Sequence, residues 1–122
     1  MVDLTGKEII ITGGAKRIGR HLALAAGRAG ASVIIHYGQS EGEAVRLADD
    51  ISRMGVNANL FQADFTDPSA SLSAFQNLLE KHDNLFGLVN NASIFEPLKF
   101  METSLESWQA HLDVNLTVPT FQ

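Results

Sequence analysis

The 122-residue sequence contains no cysteine, so neither a disulfide framework nor a thiolate metal site is open to it. It has no apolar run approaching the ~20 residues needed to cross a bilayer. Its first residues, MVDLTGKEIII, lack the basic start, apolar segment and cleavage site of a secretion signal. An excess of cations is missing too. Nine Lys and Arg stand against 14 Asp and Glu, a formal net charge of −5, which argues against general nucleic-acid binding. His21, His36, His82 and His111 show no metal-ligand spacing such as H-E-x-x-H. No internal repeat or low-complexity segment is visible. These absences leave one domain, expected in the cytoplasm, with no metal, no membrane and no nucleic-acid partner. NAS at Asn91 and NLT at Asn115 match the glycosylation pattern, but that reading fails without secretion.

What the sequence does have is TGGAKRIGR, Thr12 to Arg20. KEIII before it is β-branched and apolar, so residues 7–12 read as a buried strand. After it, Ile18, Leu22, Ala25, Ala26 and Ala29 recur at helical spacing, so 17–29 read as a helix stopped by Gly30. The stretch is thus a strand-to-helix turn with Lys16, Arg17 and Arg20 at a helix N-terminus, a place suited to an anion. Its other reading is a tight turn for helix–strand packing.

The rest alternates. ASVIIHY reads as a strand. SEGEAVRLADDISRMG reads as a helix with a Ser40/Glu43 capping box, a face of Ala44, Leu47, Ala48, Ile51 and Met54, and Gly55 as its stop. NANLFQAD is a third strand. Asp67 caps the next helix, Pro68 takes its first position, and Leu72, Phe75, Leu78 and Leu79 form its buried stripe. LFGLVNN is a fourth strand, and Thr103 with Glu106 opens a fourth helix. Asp49 and Asp50 are neighbours on the second helix and read as solvated. Four strand–helix units with right-handed crossovers predict an α/β, doubly wound parallel sheet of Rossmann type in the order 3-2-1-4. The crevice then lies where the order reverses, beyond strands one and four.

Gly13, Gly14 and Gly19 do not fit GxGxxG spacing, and no Walker lysine is followed by Ser or Thr. TGGAKRIG instead resembles the TGxxxGxG turn of the short-chain dehydrogenase/reductases, LVNNAS resembles their LVNNAG, and DVNL resembles their (N/D)xNL segment. Arg17 stands where that family usually has its second glycine, and Ser93 where NNAG ends in glycine. Both, with HYGQS after strand two, resemble the pteridine-reductase branch.

The resemblance implies a nicotinamide cofactor and hydride exchange with a carbonyl, alcohol or pterin substrate. The other functional class is a dinucleotide-sensing module that does no chemistry. The expected cofactor-binding residues are Gly13, Lys16, Arg17, Ile18, Gly19, His36, Ser40, Asp64, Phe65, Asn91, Ala92 and Ser93. NADP is expected over NAD, because strand two ends without a carboxylate until Glu41 and Lys16 is close by topology. Ser40 reads equally as a helix cap, His36 as a strand-end side chain, Asp64 as a turn-former, and Asn90 as a residue that satisfies loop backbone. Asn115 matches the family's catalytic Asn. Independently, Trp108, Leu112 and Asn115 fall on one helical face, so a buried, hydrogen-bonded amide is expected there; a purely structural Asn is the alternative. The family's Ser and Tyr-x-x-x-Lys have no match. Tyr37 is the only tyrosine and no lysine lies four residues on. The sequence is therefore expected to be the cofactor-binding half of a roughly double-length enzyme, inactive alone and prone to form a homo-oligomer.

Overall fold

The computed structural model describes residues 2–97 and 99–122. Four strands form one parallel sheet: β1 (Glu8–Ile11), β2 (Ser32–Tyr37), β3 (Ala58–Gln62) and β4 (Leu85–Val89), in the order β3-β2-β1-β4. Between them run α1 (Arg17–Arg28), α2 (Glu41–Ser52) and α3 (Pro68–Lys81), and α4 (Leu105–Leu112) follows β4. The strand order is the one the sequence predicts.

The parallel register sets Ile10 beside Ile34 and Ile11 beside Ile35. Neighbours along β1 point to opposite faces. Ile10 and Ile34 pack with Phe61, Phe75, Val114 and Val118 on one side. Ile11 and Ile35 pack with Ala23, Leu47 and Ile51 on the other. Both faces of the central strands are covered, which is why these strands are near-continuous Ile and Val rather than alternating. Each fully buried Ile or Leu contributes about 1.5–3 kcal/mol of transfer free energy. The sheet is therefore held from both sides, and its loop ends stand on a rigid base.

Local signals decide where the helices begin. Asp67 accepts from the Ala70 amide at 3.2 Å and Pro68 opens α3, as expected. Two expected capping boxes are not formed. Ser40 makes no side-chain cap to α2, and α4 starts one residue later than expected, with Ser104 accepting from the Ser107 amide at 3.0 Å. Thr103 instead donates its hydroxyl to the Lys99 carbonyl. Helices α1 and α2 do end at their glycines, with Gly30 at φ +96° and Gly55 at φ +86°. The expected stripe of α3 is only partly right: Phe75 is buried together with Ser71, while Leu79 is exposed. Ser71 substitutes for an apolar residue because its hydroxyl donates to the Asp64 carbonyl at 2.7 Å. Likewise Met54, expected on the buried face of α2, is exposed beyond the helix end.

The chain after α4 does not continue as a regular helix. Asp113–Thr117 form a π turn, and α5 (Val118–Phe121) follows. The wider turn buries Val114 and Val118 against the core.

Candidate functional site

All the strand-to-helix turns of a parallel sheet emerge at one edge, and the turn after β1 faces the segment after β4 across the point of reversal. Thr12 joins the two. Its amide donates to the Val89 carbonyl at 3.1 Å. Its buried hydroxyl accepts from the amides of Asn91 at 2.9 Å and Ala92 at 3.0 Å. Asn91 answers with its side-chain amide, which donates to the carbonyls of Thr12 and Gly13 at 3.1 Å each. Thr12 was not among the residues singled out from the sequence. Its place directly before the two glycines is the signal that could have found it.

The approach is close enough to dictate glycine. A Cβ on Gly19 would stand 2.2 Å from the Gly13 carbonyl oxygen and 2.6 Å from Asn91 Nδ2. Gly13 itself has φ +60°. Arg17 shares that left-handed region at φ +52°, the one non-glycine among the described residues to do so. A side chain there costs about 1 kcal/mol or more.

His36, at the end of β2, braces the turn from behind. Its Nδ1 accepts from the Gly13 amide at 2.9 Å, so the proton sits on Nε2, which donates to the Ala63 carbonyl at 2.9 Å. The ring is 3% exposed and stacks on Phe65 at 4.2 Å between centroids. Burial holds its pKa below the ordinary histidine value, against a smaller upward pull from the Ala63 carbonyl. Both ring nitrogens serve the fold, so His36 borders the cleft without a donor to spare for a ligand. Phe65, also expected to touch a cofactor, is 4% exposed and supports the His36 ring.

Between the two rims lies a cleft of about 630 Å³, within the range of ligand sites. It takes in every residue expected to bind a cofactor except Gly19, which sits behind the turn. Helix α1 begins at Arg17, so the first amides of that helix have no intrahelical partner. No acidic residue lies in its first turn, and Lys16, its N-cap residue, makes no side-chain cap. Lys16 and Arg17 thus stand at the positive end of a helix, where anions are the stabilising partners, while Arg20, further in, is paired with Asp50. At the opposite wall Asp64 accepts through Oδ1 from the Thr66 hydroxyl at 2.6 Å and amide at 3.0 Å. Those two bonds, the hydroxyl's first, hold its pKa below the usual aspartate value. Oδ2 is left without a protein partner among the described residues.

Asn115 lies in the π turn and outside that cleft. Its Oδ1 accepts from the Ile94 amide at 2.9 Å and its Nδ2 donates to the Ile94 carbonyl at 3.0 Å. The amide is fully paired, as expected, but exposed rather than buried, and Trp108 is exposed with it. His111, one turn earlier, donates from Nδ1 to the Ser107 carbonyl at 2.7 Å and accepts at Nε2 from the Glu96 amide at 3.1 Å. Asp50 is not simply solvated: it bonds Arg20 at 3.0 Å across the α1–α2 groove. Among the described residues no group of His, Asp and Glu could hold a metal ion, and no helix is long and apolar enough to cross a membrane.

Known proteins share this fold. A structure titled as a short chain dehydrogenase from Burkholderia cenocepacia J2315 in complex with NADP superposes with a TM-score of 0.88 at 35% identity, over 94% of this chain and 47% of that one. An L-rhamnose 1-dehydrogenase (NADP(+)) from Thermoplasma acidophilum is 32% identical over 116 residues, 95% of this chain and 46% of its own length. A 3-oxoacyl-[acyl-carrier-protein] reductase from Synechocystis sp. is 32% identical over 117 residues, 96% of this chain and 47% of its own length. The chain spans about half the length of these relatives. The family model for short chain dehydrogenase matches residues 7–121. Sheet order, glycine turn and matched residues agree, and the chain belongs to the short-chain dehydrogenase/reductase family.

Proposed function

We propose that this protein binds NADP(H) in the cleft between the β1 turn and the segment after β4, as the cofactor-binding part of an oxidoreductase acting on a small carbonyl, alcohol or pterin. The observation that carries this reading is the charge of the turn. Lys16 and Arg17 stand at the open N-terminus of α1 with no carboxylate in its first turn, and Arg20 is paired with Asp50 from α2. Strand β2 also ends without a carboxylate before Glu41, so the 2′-phosphate of NADP meets no repulsion there. The donor set suits the group: the free amides of α1 for the pyrophosphate, Lys16 for the 2′-phosphate, Asp64 Oδ2 for the adenine amino group. Asn91, Ala92 and Ser93 border the cleft from the β4 side. The bound nicotinamide supplies or accepts the hydride. Asn115 serves by positioning, since it grips both backbone groups of Ile94, which lines the cleft. The pterin option and the pteridine-reductase branch rest on Arg17 and Ser93, each standing where the wider family has glycine.

A second reading, a dinucleotide-sensing module, draws on the state of His111. Both its ring nitrogens are committed to backbone groups, and Tyr37, the one tyrosine, lies at the end of β2. We therefore propose that these residues bind cofactor without turning over a substrate. Titration with NADPH and NADH at equal ionic strength tests the first reading. NADPH is expected to bind about ten- to a hundredfold tighter, the worth of one charge-assisted contact, and Lys16→Ala to weaken NADPH alone. Equal dissociation constants would overturn it. NADPH oxidation with a panel of ketones and pterins tests the second part. Turnover that disappears in His111→Ala would mean that His111 leaves its backbone partners to act as the acid.

A further inference from the structure

The segment that follows β4 is held by side chains. Residues 90–97 form neither helix nor strand, and among the described residues no strand pairs with them. Pro97 disposes Glu96 before it to an extended backbone. The first amides, of Asn91 and Ala92, go to Thr12. The later ones go to α4 and the π turn. Ser107, His111 and Asn115 stand four residues apart, so they rise one above another on one side of that helix. Asn115 takes both backbone groups of Ile94, and His111 Nε2 accepts from the Glu96 amide at 3.1 Å. The Ser107 hydroxyl donates to the Glu96 carboxylate at 3.4 Å. The contacts thus fall on alternate residues, and Phe95 between them is 84% exposed. Three side chains do here what a neighbouring strand does elsewhere. Ile94 carries their effect to the site, because it lines the larger cleft.

The Asn115 grip contains no titrating group, whereas the His111 grip depends on one. The ring accepts at Nε2 only when it is neutral with its proton on Nδ1, where it donates to the Ser107 carbonyl at 2.7 Å. A second proton sets Nε2–H against the Glu96 N–H, donor against donor. The charged ring has a new acceptor on the same residue, the Glu96 carboxylate. It also lies in the last turn of α4, where the helix dipole favours a cation. The other titratable groups on these elements are Glu106 in the first turn of α4 and Asp113 in the π turn, which accepts from Gln109 at 2.9 Å. In the turn before α4, Glu102 accepts from the Lys99 amide. Neither α4, the π turn nor residues 90–97 contain a Lys or Arg that opposes charge on the ring.

We propose that His111 is a positioning residue that works as a pH-operated latch. Neutral, it holds the Glu96 backbone against α4. Protonated, it releases that backbone, turns to the Glu96 carboxylate and loosens the wall that Ile94 gives the cleft. The latch belongs to this chain whether the cleft holds NADP(H) or another ligand.

The test is amide hydrogen exchange of the isotope-labelled 122-residue chain, read by NMR at pH 7.5 and 5.5 for the wild type and His111→Gln. Each rate is taken relative to an unstructured chain at the same pH. In the wild type the protection of the Glu96 amide is expected to fall about five- to tenfold at the lower pH, the worth of one hydrogen bond. The Ile94 amide follows with a smaller fall. In His111→Gln, whose side chain takes no charge, the Glu96 loss stays within about twofold. The Gly13 amide, which His36 holds, reports the separate titration of that ring in both proteins. Ring nitrogen shifts of the wild type add a measurement that needs no variant, with the proton expected on Nδ1 of His111 at pH 7.5. Three results would overturn the inference: equal Glu96 protection at the two pH values, an equal loss in His111→Gln, or a neutral ring with its proton on Nε2.

Discussion

His36 shows how one ring can brace a site with both of its nitrogens. It bridges the Gly13 amide and the Ala63 carbonyl only in the neutral form with the proton on Nε2. Protonation would put a donor against a donor at Gly13 and a charge in a buried site. Its folded pKa is therefore depressed below the ordinary 6.5, with burial as the first cause. The sign follows: the unfolded chain takes up the proton first, so stability is full above about pH 6.5 and falls as pH drops toward the lower folded value. Urea midpoints at pH 7.5 and 5.5 should show a larger acid loss in the wild type than in His36→Gln. Equal losses in the two proteins would remove His36 from the balance.

At the scale of elements, α1 is a helix whose start opposes its own stability. Arg17 sits at φ +52° and brings a cation to the positive end of the dipole. Replacing it by glycine removes both costs. Arg17→Gly should raise unfolding free energy by about 1 kcal/mol while weakening NADPH; a loss of stability in urea melts would show that the side chain is structural. The elements also show what the sequence made legible. Four strands, their order and the glycine stops were readable because hydrophobic period and left-handed turns are local properties. The turn at Gly13 to Gly19 was readable for the same reason. The caps at Ser40 and Thr103 were not. A capping pattern states only that a hydroxyl and a carboxylate are correctly spaced, whereas the hydroxyls of Thr103 and Ser104 compete for neighbouring partners. The inward commitment of His36 and the mutual grip of Asn115 and Ile94 were equally hidden. Each depends on a partner 21 to 27 positions away that no spacing rule names.

For the molecule as a whole, the most exposed apolar feature of the sheet is its β4 edge. Among the described residues β4 pairs only with β1, and Phe86 and Leu88 on it are 60% and 39% exposed. Lys7 Nζ stands 4.7 Å from the centroid of the Phe86 ring, which gives that ring partial cover. An apolar edge strand invites pairing with another strand. Sedimentation velocity at micromolar concentration should find the 122-residue chain self-associated, and Phe86→Lys combined with Leu88→Lys should shift it toward monomer. A wild type that sediments as a stable monomer would count against this.

The hydroxyl of Thr12 has a consequence in time as well as in space. It takes the amides of residues 79 and 80 positions further along the chain. Strands β1, β2 and β3 and their helices assemble from close neighbours in sequence, but β4 reaches β1 only when a much longer loop closes. Until that strand arrives, the glycine turn has one wall. On the proposed cofactor reading, a refolding chain is expected to regain its helical signal before its NADPH affinity, and stopped-flow circular dichroism beside NADPH fluorescence would time the docking of the last strand.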